Sequence, residues 1–395
     1  MQRPIAAALV AVLMTLSACT TPAPSSSTEP GGATAPASTP SGTASPPSPG
    51  ASPSAAALVA RLVSGDALPA CAPTAPTASA TVTFVASGHA WALDPSGANL
   101  TCLFAVTDPG PFEWGPLGDR VLLGGLEVKG VAGGPNLAAS DKTFAAITWS
   151  RPTGKSIVYA PTADTSLEKV LIDGTRQHVT PLESSRYLSV TYHPSGEAYA
   201  FAVEREDGQS IWMSTNTGKT PVRLVFSTEG TKFGAIAFEA DGKHLLYAAQ
   251  HADNHAELHR IAVTDTTKAP VAWDGPVGPM ILDIHPGLTS GTFAWTTGAA
   301  SCADSIAMAQ TPAGTVRALP DEARPTRAVG WLGATQLLVA TGGCDESLDL
   351  SAVDVATGAV VPLVSGVAVA AVRTPVPTPP APLPKPVTAL GEGFS

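Results

Sequence analysis

The feature that most constrains this chain is a repeat. From Trp114 onward an apolar or aromatic anchor leads into a Gly- or Pro-containing turn, and a second apolar run follows. The anchors Trp114, Trp149, Tyr192, Phe238, Ile284 and Trp331 succeed one another at 35, 43, 46, 46 and 47 residues. A period of about 40–45 residues points to a propeller or solenoid, whose units bury their apolar faces only against their neighbours. Within each unit the apolar runs are short, rich in β-branched and aromatic residues, and bounded by Gly, Pro, Asp and Asn, which is strand patterning. A second turn recurs later in the unit, as Asp94-Pro95-Ser96-Gly97, Asp173-Gly174, Asn216-Thr217-Gly218, Asp265-Thr266, Pro312-Ala313-Gly314 and Ala356-Thr357-Gly358. Gly and Asn supply the positive φ that tight hairpins demand. Two hairpin turns make four strands, the content of one propeller blade, so the expected fold is all-β.

Three stretches carry a family resemblance. Tyr192-His193-Pro194-Ser195-Gly196-Glu197, Phe238-Glu239-Ala240-Asp241-Gly242-Lys243 and Trp149 with Gly154-Lys155 resemble the aromatic-x-P-D-G-K repeat of TolB-like (WD40-like) β-propellers. The resemblance spans roughly residues 82–373 and implies a fold, with almost nothing about function. Six anchors start six blades. Left over are strands around Val82–Val85, Ala90–Leu93 and Leu100–Val106, and the apolar run 367–372 at the other end. If the last run completes the first three, a seventh blade closes the ring and removes its exposed edges. Seven blades are favoured; six would result if the terminal strands joined existing sheets.

The N-terminus reads as an export signal. Arg3 precedes the apolar run 5–16, too short to span a bilayer comfortably. Leu16-Ser17-Ala18-Cys19 then resembles the bacterial lipobox, which implies cleavage after residue 18 and a diacylglyceryl group on Cys19. Two acyl chains suffice for stable anchoring where one is marginal. Residues 19–55 are Ser, Thr, Pro, Gly and Ala with the single charge Glu29, a composition that cannot offset its own ordering entropy. Such a linker would reach roughly 30–35 Å as a coil and about 110 Å fully extended. Residues 56–81 form an N-terminal extension, 82–373 the propeller, and 374–395 a Pro-rich disordered tail. The expected location is extracytoplasmic, lipid-anchored to a bacterial cell membrane.

Four further cysteines, Cys71, Cys102, Cys302 and Cys344, make an even set in an exported chain and suggest two disulfides. Cys302 and Cys344 fall in equivalent loops of successive blades, Cys71 precedes the first strand, and Cys102 lies on the outermost strand of the shared blade. That architecture favours Cys71–Cys102 and Cys302–Cys344; a four-Cys zinc site is the rival, without any CxxC spacing. The net charge is −10, and −11 once Arg3 leaves with the signal. No Lys/Arg cluster stands out, which argues against nucleic acid as a partner.

No nucleophile elbow, zincin helix, Walker loop or dinucleotide fingerprint is present. The nearest constellation is His251, Asp253, His255, Glu257 and His259. Residues 255, 257 and 259 would share a strand face, and imidazole with carboxylate suits Zn²⁺; the bland reading is a solvated polar loop. A second pattern is acidic: Asp164, Glu204, Glu206, Asp207, Asp253, Asp304, Asp345 and Glu346 occupy one class of loop, interrupted by Arg205. These loops would form one face, either plain polar surface or a platform for Ca²⁺, another cationic ligand or a basic partner segment. Trp91, Trp149, Trp212, Trp273, Trp295 and Trp331 read as packing between blades. The expected function is a monomeric binding module that engages a protein or envelope component and needs no cofactor. The alternative is an extracytoplasmic hydrolase or lyase, with or without a metal, supported by the His/Asp/Glu group and by His193 and His285. Those two follow their anchors at matching positions, which favours a role in the turn.

Overall fold

The computed structural model describes Leu62 and residues 68–110, 112–131, 137–138, 144–162, 165–217, 221–227, 230–264, 269–273, 278–298, 304–311, 314, 316–319, 324–343 and 346–373. Residues 1–61 lie outside the described residues and include the lipobox and the linker; the tail, 374–395, lies outside them as well.

Seven four-stranded antiparallel sheets make up the described chain. Blade 1 begins with β1 (Val82–Ala86), β2 (His89–Leu93) and β3 (Thr101–Ala105). Blade 2 is β4 (Glu113–Trp114), β5 (Arg120–Leu123), β6 (Glu127–Gly130) and β7 (Leu137–Ala138), so its outermost strand is the short one. Blade 3 is β8 (Phe144–Trp149), β9 (Ser156–Pro161), β10 (Glu168–Leu171) and β11 (Arg176–His178). Blade 4 is β12 (Arg186–Tyr192), β13 (Ala198–Arg205), β14 (Gly208–Thr215) and β15 (Val222–Phe226). Blade 5 is β16 (Lys232–Phe238), β17 (His244–Gln250), β18 (Ala256–Ala262) and β19 (Val271–Ala272). Blade 6 is β20 (Ile281–Pro286), β21 (Phe293–Thr297), β22 (Ile306–Gln310) and β23 (Val316–Leu319). Blade 7 is β24 (Thr326–Trp331), β25 (Gln336–Thr341), β26 (Leu348–Asp354) and β27 (Val360–Val367). The chain then returns as β28 (Val369–Val372), which pairs with β1 from Val82↔Val372 to Val85↔Val369. Closure therefore joins the two ends of the repeat region in one blade, and the ring has seven blades.

Why this sequence makes a ring is visible in its cores. Seven buried apolar clusters occur among the described residues, and each is shared by two neighbouring blades. Val158, Ala160 and Leu167 of blade 3, for example, pack on Tyr187, Tyr192, Tyr199 and Phe201 of blade 4. Leu338, Leu350 and Val364 of blade 7 pack on Val82, Phe84 and Leu93 of blade 1. A blade is apolar on both faces and satisfies them only between two others. The anchor aromatics sit here, with Trp149 fully buried and Trp114 and Trp331 nearly so.

In blades 3 to 5 the turn that follows the inner strand packs against the turn of the preceding blade. His193 is buried, with Nε2 2.8 Å from Gly242 O and Nδ1 2.7 Å from Ser195 Oγ. Gly242 has φ +70, and a Cβ there would overlap the His193 ring. Gly196, φ +78, lies equally close under the Arg151 carbonyl. Gly196 and Gly242 are thus doubly required, by backbone conformation and by close approach of the neighbouring turn.

Cys71 and Cys102 are joined by a disulfide with Cα atoms 5.4 Å apart, and Thr74 N donates to Cys102 O at 2.9 Å. The extension is thereby pinned to β3, with Leu62 buried in the cluster between blades 7 and 1. Cys302 and Cys344 lie outside the described residues.

Candidate functional site

The first strands of the blades neighbour one another around the axis: β28 and β4, β8 and β12, β12 and β16, β16 and β20, β20 and β24, β24 and β28. Residues at equal register on these strands stand at equal height around the axis. One step before the last inner-strand pair, that level holds Glu113, Thr148, Thr191, Ala237, His285, Gly330 and Ala371. Five of the seven are small and neutral, and the other two are a carboxylate and an imidazole. Glu113 belongs to blade 2 and His285 to blade 6, across the axis from one another.

Asp283 stands two residues before His285 on the same strand, and their Oδ1 and Nε2 are 3.3 Å apart. The two side chains keep 37% and 29% of their surface. Burial works against ionisation of Asp283, yet the nearby charge of His285 and the Thr296 amide, 2.9 Å from Oδ1, hold its pKa below the ordinary carboxylate value. Burial likewise opposes protonation of His285, but Asp283 outweighs it and raises the imidazole pKa. Glu113 has no such partner among the described residues. Burial pushes its pKa up to about 7, with the charges of Arg151 and His285 acting in the opposite sense. Arg151, in the turn after β8, is itself lowered by burial and partly restored by Glu113. Arg327 of β24 pairs in register with Ala340 as Asp283 does with Thr296, so the two are level in adjacent blades. Its Nε is buried without a hydrogen-bond partner among the described residues, although its terminal nitrogen donates to Gly343 O at 3.3 Å.

Sequence spacing does not reveal this group. His285 follows its anchor as His193 does, but register separates them: His193 N bonds to Ala198 O, and the equivalent bond in blade 6 comes from Gly287 N. His285 is thus the counterpart of Thr191, not of His193. The available signal was Glu113, a charge immediately before an anchor on an innermost strand.

Of the residues expected to form an acidic face, Glu204, Glu206, Asp207, Asp253, Asp304 and Glu346 are described, each between or at the ends of the second and third strands of its blade. Glu204 is engaged there by Arg186 at 2.8 Å and by Gln209 at 3.1 Å, and Glu346 accepts from Gly343 N at 3.1 Å. Glu206, Asp207, Asp253 and Asp304 are exposed; Asp164 and Asp345 fall outside the described residues. Arg324, paired with Asp349 at 2.7 Å, adds positive charge beside them. His251, His255, Glu257 and His259 come together on blade 5, whereas Asp253 caps the hairpin, its Oδ1 3.2 Å from His255 N.

Glu239, Asp241 and His244 have ligand atoms within 4.8 Å of one another, a spacing that no three of His251, His255, Glu257 and His259 reach. Glu239, however, is buried and held by Arg260 through two bonds of 2.7 and 2.8 Å and by Ser290 Oγ at 2.5 Å. That carboxylate is already neutralised in place, as a structural pair.

Fold and site define a seven-bladed β-propeller with ionisable groups gathered in its channel. No family model and no curated protein matches the sequence. Solved structures similar to it include a putative TolB from Agrobacterium tumefaciens, at 14% identity and TM-score 0.45, covering 59% of this chain and 84% of that one. TolB from Acinetobacter baumannii gives 12% identity and TM-score 0.46, covering 74% and 66%. A streptogramin B lyase gives 12% identity and TM-score 0.43, covering 73% and 84%. Likenesses this distant concern the propeller fold alone.

Proposed function

We propose that this chain is a monomeric binding module of the bacterial cell envelope, held outside the membrane by a lipid on Cys19 and the linker behind it. The partner is a protein or envelope component that presents a charged segment to the channel. The observation that carries the reading is the convergence of Glu113, Arg151, Asp283 and His285 on a lumen whose other residues at the Glu113–His285 level are small and neutral. A segment bearing both an amine and a carboxylate would complement that group.

The test is crosslinking from intact cells that express the lipidated chain. A discrete partner should be recovered with the natural sequence and lost with Arg151→Met and with His285→Gln. Cys19→Ala should release the folded ring into the medium. Equal recovery by the channel variants, or no partner at all, would refute the channel as the site. A second reading, an acid–base hydrolase or lyase, is favoured by one observation, a Glu113 carboxyl near pKa 7 within range of His285. Turnover of an ester, phosphoester or lactone panel that vanished in Glu113→Gln would select it.

A further inference from the structure

Arg151 carries a guanidinium that the ring encloses but does not pair. Burial lowers its pKa, and only the charge of Glu113 works the other way. Among the described residues its side chain makes no hydrogen bond and no ion-pair contact. The arginines around the blade 2 turn beside it are differently placed. Arg120 pairs with Asp119 at 2.7 Å, and Arg373 donates to Gly118 O at 2.8 Å and to Thr77 O at 2.7 Å. An enclosed charge is costly unless an opposite charge and hydrogen bonds meet it. For Arg151 the fold supplies neither in contact.

The charges around Glu113 can be counted. Those that act on it come from Arg151, in the turn after β8, and from His285 of β20. His285 is matched by Asp283, 3.3 Å away on the same strand, and the ionised pair carries no net charge. The other inner strands bring Thr148, Thr191, Ala237, Gly330 and Ala371 to this level, and none of these ionises. Arg327, level with Asp283, donates to Gly343 O and adds positive charge. With Glu113 protonated, the group as a whole is therefore positive.

Such a group suits an oxyanion. A guanidinium donates two parallel N–H bonds to two oxygens of a carboxylate or phosphate, a fit that an ammonium cannot reproduce. A further lone pair on the same oxyanion can accept the O–H of a neutral Glu113. An amine would meet Arg151 as a like charge and would require Glu113 to be ionised. Burial, which raises the Glu113 pKa to about 7, favours the first arrangement in neutral and mildly acidic solution.

We infer that Arg151 and the protonated carboxyl of Glu113 together hold one oxyanion, a carboxylate or phosphate group of the ligand, and that binding takes up a proton wherever Glu113 starts ionised. The proton comes from solvent and stays on Glu113, and no bond of the ligand breaks. The inference rests on the channel as the ligand site and adds the class of group bound there.

The test is titration of acetate, and separately of inorganic phosphate, into the full-length protein, followed by calorimetry and by the Glu113 carboxyl resonance. One equivalent of either probe should bind saturably at pH 6, and the tighter probe tells a carboxylate ligand from a phosphate. Acetate affinity should fall about tenfold per pH unit above pH 7, as uptake of one proton requires. In the natural sequence the Glu113 midpoint should rise on saturation, because a neighbouring anion disfavours its ionisation. Arg151→Met should abolish binding. Glu113→Gln, whose amide still donates, should keep it and lose the pH dependence. No saturation by either probe, or affinity that grows with pH, would overturn the inference. Loss of the crosslinked partner in Arg151→Met without probe binding would likewise overturn it and leave the channel reading standing. Probe binding with partner recovery indifferent to Arg151→Met would uphold the oxyanion site and remove the channel as the partner's site.

Discussion

Trp114 donates its indole N–H to Thr83 Oγ1 at 2.7 Å, and Thr83 donates in turn to Ala371 O at 2.6 Å. This relay crosses from blade 2 to β1 and on to β28, the strand that closes the ring. Thr83 is fully buried and Trp114 nearly so. Thr83→Val keeps the shape and strands the indole donor away from water, while Ala371 O keeps its ladder bond from the residue 83 amide. Such an orphan costs about 1–3 kcal/mol. The urea midpoint should fall accordingly, with an unchanged slope. Trp114→Phe in the Thr83→Val background should cost less than it does alone, because the stranded donor leaves with it.

Removal of β28 tests closure itself. A chain ending before Val369 exposes the β1 edge, Val82 to Val85, and opens the apolar clusters on both sides of blade 1. Unpaired edges of this kind associate with other chains. The truncated protein should lose cooperative urea unfolding and elute as aggregate in size-exclusion chromatography. A cooperative monomer would show that closure is dispensable.

Much of this architecture was legible because propeller blades repeat the same burial problem. Trp149, Tyr192, Phe238 and Trp331 recur because each fills an equivalent core, and the apolar run 367–372 stood out as a strand without a unit of its own. The channel was harder to see. Glu113 and His285 are distant in sequence, and their encounter depends on the registration of seven separate strands. Bulges such as the one between Ile281 and Asp283 shift that registration within blade 6. Taking Ile284 as the anchor where register points to Pro286 moved the alignment by two residues. A shift of two preserves the strand face and so left the core pattern undisturbed, while it placed His285 in a turn.

The turn glycines separate two costs that are usually measured together. Gly242 and Gly291 both have positive φ, +70 and +79. A Cβ at Gly242 would overlap His193, whereas at Gly291 nothing lies within 4 Å. Gly291→Ala should therefore show only the backbone cost, about 1–2 kcal/mol. Gly242→Ala should lose more, since the His193 ring and its bond to Gly242 O must shift as well. Equal thermal midpoints for the two variants would contradict the leaning of turn on turn.

The Cys71–Cys102 bridge spans a sequence separation of 31. Chain-entropy arguments assign a loop of this size about 4 kcal/mol, an upper figure here because Cys71 lies outside the blades. Reduction should lower the thermal midpoint and make the segment before Val82 accessible to protease, with the seven-bladed core still cooperative.

The ionisation of Glu113 gives the channel a pH dependence with a definite sign. Its folded pKa is raised by burial from the ordinary 4.5 to about 7. Between those values the folded chain holds a proton that the unfolded chain has released, so stability falls as pH rises through this window. The contribution is fully present below about pH 4.5 and lost above about pH 7. Glu113→Gln, which keeps a neutral side chain at every pH, should be more stable than the natural sequence at pH 8, and the difference should disappear near pH 4.5. Arg151 and His285 both draw the Glu113 pKa down, so Arg151→Met should raise it further and carry the midpoint of the stability change to higher pH. Carboxyl resonances followed by NMR would report the same titration directly. A Glu113 midpoint near the ordinary 4.5, or one indifferent to Arg151, would mean that the lumen is wet enough to solvate the carboxylate, and a charged ligand would then have no desolvated partner to meet.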